Sequence, residues 1–84
     1  MKPAAGFGPW VADLPELERI ARLRELRALA VMYCGPAHPL AIALREAEAD
    51  PEASERALEH LERLPPLRRR RVLATLAELR APAH

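Results

Sequence analysis

Apolar residues recur at three- and four-residue intervals from residue 14 onward and never alternate with period two over a useful length. That periodicity predicts helices and no strand. Prolines and glycines divide the pattern cleanly. Asp13, with Glu16 three residues on, reads as an aspartate version of the capping box. Gly35-Pro36 reads as a stop, glycine just past the end and proline after it. Together they set a first helix over 14–34. Pro39 opens a short second helix, about 40–49. Asp50-Pro51-Glu52 is the clearest start signal in the chain: a capping side chain, proline at the first helical position, and an acid facing the positive helix end. The third helix therefore covers 51–64. Pro65-Pro66 ends it and opens the fourth, 66–80, before Pro82. The prediction is an all-α fold, a small four-helix domain over residues 13–81. An irregular arm, residues 1–12, precedes it and contains Pro3, Gly6, Gly8 and Pro9.

The helix faces carry unequal information. In the third helix Ala53, Ala57, Leu58, Leu61 and Leu64 form one apolar stripe. Glutamates and arginines cover the rest, with Glu52–Arg56 and Glu59–Arg63 in the favourable i,i+4 order. In the fourth, Val72, Leu73, Leu76 and Leu79 form the stripe. Arg70 and Arg71 point away from it, Arg68 flanks it, and Arg69 falls on it, where it must snorkel or find a carboxylate. The first helix has two stripes. Leu17, Ile20, Ala21, Ala28 and Val31 make one; Leu23, Leu26, Ala30 and Tyr33 make the other, roughly on the far side. A helix apolar on two sides is normally sandwiched. Either one stripe faces the core and the other a second chain, or the helix is central and covered on both sides by its own domain. The interaction reading nominates Leu23, Leu26, Ala30 and Tyr33. It adds Phe7 and Trp10, which are apolar yet lie outside any helix, with Trp10 expected to be at least partly buried.

Composition sharpens this. Half of the 84 residues are apolar, but most are Ala and Leu, and the aromatics are Phe7, Trp10 and Tyr33. A chain of this size buries only about 60–65% of its unfolded surface. So thin a core favours a homo-oligomer or a protein partner over a free-standing monomer. There is no Asn or Gln, and Ser54 and Thr75 stand alone in their types. That depletion, with abundant Glu, is thermophile-like, although Lys2 as the single lysine departs from the tendency. A net charge of +1 gives no whole-molecule field for nucleic acid, so any such case rests on local clustering. No stretch approaches the length that spans a bilayer. Met1 to Val11 holds one lysine and no continuous apolar run, unlike a signal peptide, and the expected location is the cytoplasm.

Candidate chemistry is sparse. The single cysteine, Cys34, excludes an intrachain disulfide. Cys34-Gly35-Pro36 resembles the start of the thioredoxin-type redox motif. That motif needs a second thiol, where this chain has Ala37, and a cysteine at a helix N-terminus, where this one ends a helix. Cys34, His38, His60 and His84 lack the paired, close spacing of structural zinc ligands. No Ser/His/Asp grouping and no Gly-rich phosphate loop is present. No metal, cofactor or catalytic residue is nominated, and enzymatic activity is not expected.

The segment from Ala57 to Leu73, with Leu64-Pro65-Pro66 followed by Arg68 to Arg71 and Val72-Leu73, resembles the opening of the promoter-reading region of bacterial sigma factors. There too a helix ends in Leu-Pro and a basic turn leads into a Val-Leu helix. In that family the helix-turn-helix that reads DNA lies downstream of this segment. The resemblance therefore implies a shared helix–proline–helix device and no function.

Four consecutive arginines, Arg68 to Arg71, open the fourth helix. That is the wrong end for positive charge, because the first turn already carries about half a unit of positive macrodipole. Such a cluster either meets an acidic or phosphate partner or stays in solvent beside the glutamates of the third helix. The preferred reading is a non-enzymatic helical protein-interaction module, a homodimeric regulator or accessory subunit of a larger partner. The alternative is a nucleic-acid phosphate-backbone binder acting through Arg68, Arg69, Arg70 and Arg71.

Overall fold

A computed structural model of the protein describes residues 7–80, with Arg80 described by its backbone alone. Its elements are a 3₁₀ turn (Gly8–Trp10) and four α-helices: α1 (Glu16–Cys34), α2 (Pro39–Glu46), α3 (Pro51–Glu62) and α4 (Pro66–Arg80). No strand occurs among the described residues. Lys2, Pro3, Gly6, Pro82 and His84 lie outside them.

Local chemistry explains each boundary and two departures from expectation. α1 starts two residues later than the pattern predicts, because a residue before proline is pushed out of the helical region and Leu14 precedes Pro15. Asp13 sits in a left-handed turn at φ 60° instead of capping. Glu16 does not reach back to it; its carboxylate takes both Nη2 (2.6 Å) and Nε (3.0 Å) of Arg19. At the other end Gly35, at φ 96°, donates its N–H to the Val31 carbonyl at 2.9 Å. α2 is shorter than predicted. Residues 47–49 form a turn, and the Asp50 N–H returns to the Glu46 carbonyl at 3.0 Å. α3 opens as expected, with Asp50 Oδ1 accepting the Glu52 N–H at 3.0 Å. It ends at Glu62, leaving Leu64 in the turn but buried.

α1 is the hub. α2, α4 and the 3₁₀ turn all pack on it, and α3 packs on α2. The core comprises Leu23, Leu26, Leu29 and Ala30 of α1, Leu40 and Leu44 of α2, Ala53, Ala57 and Leu61 of α3, and Val72 and Leu76 of α4. Each fully buried leucine among them contributes about 1.5–3 kcal/mol of burial. This corrects the reading that placed Leu23, Leu26 and Ala30 toward a partner. They have no exposed surface and form the centre of the chain's own core. Of the opposite stripe, Leu17, Ala21 and Ala28 face outward, while Ile20 is half-buried and Val31 packs against the edge of the core. The leucines win the buried side because they remove more apolar area from water than alanines do.

Trp10 joins this core at 8% exposure. Its indole Nε1–H donates to the Ser54 carbonyl at 2.8 Å, and its ring meets Phe7 edge-on at 5.4 Å between centroids. Arg22 ties the turn down from α1, donating from Nη1 to the Gly8 carbonyl at 3.1 Å. The described part of the arm is therefore packed structure, and neither aromatic is presented to solvent as a free anchor. Leu79, expected in the buried stripe of α4, is 59% exposed, so the buried stripe of that helix ends at Leu76.

Candidate functional site

The two proline rings between α3 and α4 decide where the arginines go. Pro65 and Pro66 allow a tight turn, so the first turn of α4 lies beside the last turn of α3. Arg69 exploits that adjacency. Half-buried on the apolar side, it donates from Nη1 to the Glu62 carbonyl at 2.7 Å. The last carbonyls of a helix have no partner within it and sit at its negative end. Arg69 thus finds a helix terminus instead of the carboxylate that its position called for, and it serves as structure.

Its neighbours are different. Arg68, Arg70 and Arg71 are exposed, and no carboxylate forms an ion pair with them among the described residues. They surround an open cleft of about 700 Å³ lined also by Tyr33, Leu67 and Ala74. The Tyr33 hydroxyl is engaged with Thr75 Oγ1 at 3.0 Å, which fixes the ring as part of the cleft wall. Leu67 is 75% exposed at the centre of this basic surround. At 3.6 residues per turn it lies about 180° from Leu76 around α4. That angle is legible in the sequence, where Leu67 belongs to no apolar stripe.

The cleft therefore combines three cations, an exposed leucine and a fixed phenol. It can hold an anion attached to an apolar group. None of the side chains around it is a carboxylate, imidazole or thiol, so it supplies no group to accept a proton or to attack at neutral pH.

The remaining candidates lie elsewhere. Leu23, Leu26 and Ala30 are core, as is Trp10, with Phe7 packed against it. Half-buried Cys34 sits at the end of α1. His38, considered above as a metal ligand, caps α2: its Nδ1 accepts the Leu40 N–H at 3.1 Å. His60 lies half-buried on α3. Among the described residues no three His, Cys, Asp or Glu side chains converge as metal ligands would, and no helix is long and apolar enough to cross a membrane.

On α3 the expected ion pairs do not form. Arg56 turns back to Asp50 Oδ2 (3.5 Å) and Glu46 Oε2 (3.6 Å) in place of Glu52. Asp50 and Glu46 lie at the junction of α2 and α3, so both stand within reach of Arg56. Glu55 and Glu59 are exposed, and no ion pair involves them among the described residues. Compared with protein-family models, with curated proteins and with solved structures, the chain matches none.

Proposed function

We propose that this chain is a non-enzymatic, cytoplasmic interaction module that regulates or adapts a protein partner by holding an acidic, partly apolar segment against the start of α4. One observation carries the reading: Arg68, Arg70 and Arg71, without carboxylate partners among the described residues, ring an exposed leucine on an open cleft. Arginine suits planar carboxylates, and Leu67 adds an apolar contact beside them.

A phosphate backbone is the weaker fit. Modules that track nucleic acid extend their basic face and add aromatics for stacking. Here the exposed face of α4 continues as Ala74, Ala77 and Glu78, and Trp10 is enclosed in the core. A nearly neutral net charge adds no long-range attraction to a polyanion.

The magnitudes set the scale of the test. Three surface arginine–carboxylate pairs contribute about 0.5–1 kcal/mol each, and covering Leu67 about 2 kcal/mol. Set against the cost of association, that sum gives a weak complex, with a dissociation constant in the millimolar range or above. A titration at low ionic strength resolves this range. Two labelled probes are compared by fluorescence anisotropy: an acidic peptide with Glu and Leu at helical spacing, and an oligothymidylate of matched charge. The peptide is expected to bind more tightly, and the combined change Arg68→Glu, Arg70→Glu, Arg71→Glu should remove its binding. Tighter binding of the oligonucleotide, with affinity falling steeply with salt, refutes the proposal. So does peptide binding that survives the triple change.

A further inference from the structure

The geometry points to a second copy of this chain as a partner for the arginine corner, with Glu55 and Glu59 of that copy supplying the acidic segment. This inference rests on the reading that the corner holds an acidic protein segment, and it names which one. Two like-charge groupings of opposite sign lie on consecutive helices. On α4, three exposed arginines crowd a helix N-terminus, where the dipole disfavours them. On α3, exposed Glu55 and Glu59 stand one turn apart, a like-charge i,i+4 pair that repels itself. Neither grouping is neutralised by the other within the chain. The bond from Arg69 to the Glu62 carbonyl ties the start of α4 to the end of α3, the helix that carries both glutamates.

Patches of opposite charge on one chain suit a two-fold interface, which must be self-complementary. Residue i of one copy meets residue j of the other, and the same contact is made again in reverse. Doubling every contact turns an individually weak arginine–glutamate pairing into an association measurable at ordinary protein concentrations. Leu67, exposed between the arginines, would then be covered in both copies. With a net charge of +1, two copies approach without appreciable overall repulsion.

Sedimentation equilibrium at low and moderate salt tests this with two variants. One carries Arg68→Glu, Arg70→Glu and Arg71→Glu; the other carries Glu55→Arg and Glu59→Arg. All five side chains are exposed, and circular dichroism checks that both variants keep the parent's helix content. The parent should dimerise, and less so as salt screens the contacts. Each variant alone should self-associate at least tenfold more weakly. An equimolar mixture should recover a heterodimer, since one variant is then acidic at both patches and the other basic at both. A parent that stays monomeric while still binding the acidic peptide overturns the self-pairing and leaves the proposed function standing. Loss of both overturns both. A parent dimer that neither variant weakens places the interface elsewhere and also overturns the inference.

Discussion

Truncating Trp10 to alanine tests whether the N-terminal arm is part of the folding unit or an accessory to it. The indole is 8% exposed, packs edge-on against Phe7, and donates a hydrogen bond of 2.8 Å to the Ser54 carbonyl on α3. Removing a buried tryptophan costs about 3–5 kcal/mol in packing and cavity terms. A domain of this size has a total stability on the order of 4–12 kcal/mol. The change should therefore remove a large share of the total. With a urea slope of about 1 kcal/mol per molar for a small domain, the midpoint falls by roughly 3 M or more. Trp10→Phe separates the contributions. It keeps a ring against Phe7 and loses the indole N–H, for a cost of about 1–2 kcal/mol from the hydrogen bond and the smaller ring. Far-ultraviolet circular dichroism is the assay, since the fluorophore is the residue removed. An alanine variant within about 1 kcal/mol of the parent would refute the placement of Trp10 in the core. In the parent, tryptophan emission should be blue-shifted and shielded from iodide.

Four further outcomes follow from the same structure. The combined change of Arg68, Arg70 and Arg71 to Glu should stabilise the isolated chain by about 1 kcal/mol at low salt and by less when screened; a less stable variant in thermal melts would show that the arginines have native partners. Leu26→Asp should unfold the chain, because a buried unpaired carboxylate adds several kcal/mol to the lost leucine packing; a helical but dissociated variant would return Leu26 to an interface. His38→Ala should cost about 0.5–1 kcal/mol by removing the α2 cap and His38→Asp should recover it; equal urea midpoints for the two variants would exclude the cap. The hydrogen bonds and charge of Arg19 hold the Glu16 carboxyl below its ordinary range, so the stability they provide is present above that range and is lost as pH falls through the folded-state value; Glu16→Gln should flatten the acid limb of the stability profile, and an unchanged limb would show the pair to be inert.

Where backbone chemistry dictated the answer, the sequence was readable. Asp50-Pro51-Glu52 started α3, Gly35 stopped α1, and the spacing of Ala53, Ala57 and Leu61 named the buried face of α3. The faces of α1 were not readable in that way, because the periodicity counts Ala21 and Ala28 as fully as Leu23 and Leu26. Which side is buried depends on side-chain volume and on what the other helices bring to it, and that is a tertiary outcome. Pro15 carried a boundary signal that the Asp13–Glu16 spacing obscured. His38 was hidden for a related reason: imidazole lies outside the usual set of capping side chains, although Pro39 directly after it marked the position. At the candidate site the arginines were visible as a run. Separating Arg69 from its neighbours needed the backbone carbonyl of Glu62, to which no sequence pattern points.

That separation follows from the polar composition. A chain with no Asn or Gln, one Ser and one Thr lacks most of the short side chains that ordinarily satisfy helix ends and turns. Long arginines take over part of the task. Arg19 reaches the Ala47 carbonyl at the end of α2, Arg22 the Gly8 carbonyl of the arm, and Arg69 the Glu62 carbonyl at the end of α3. A guanidinium can do this because it presents several donors in a fixed fork. Arg19 and Arg22 also bind a carboxylate with the rest of that fork. In such a chain a high arginine content is no sign of nucleic-acid binding, since capping and ion pairing occupy much of it. Arg27, Arg45 and Arg63 are scattered outside this usage, whereas Arg68, Arg70 and Arg71 stand outside it together. They are three near-consecutive guanidiniums that cap no carbonyl and pair with no carboxylate among the described residues, gathered where the helix dipole opposes them. A structural role accounts for Arg69 and leaves the other three without one, and that difference is why the proposed partner is placed at this corner.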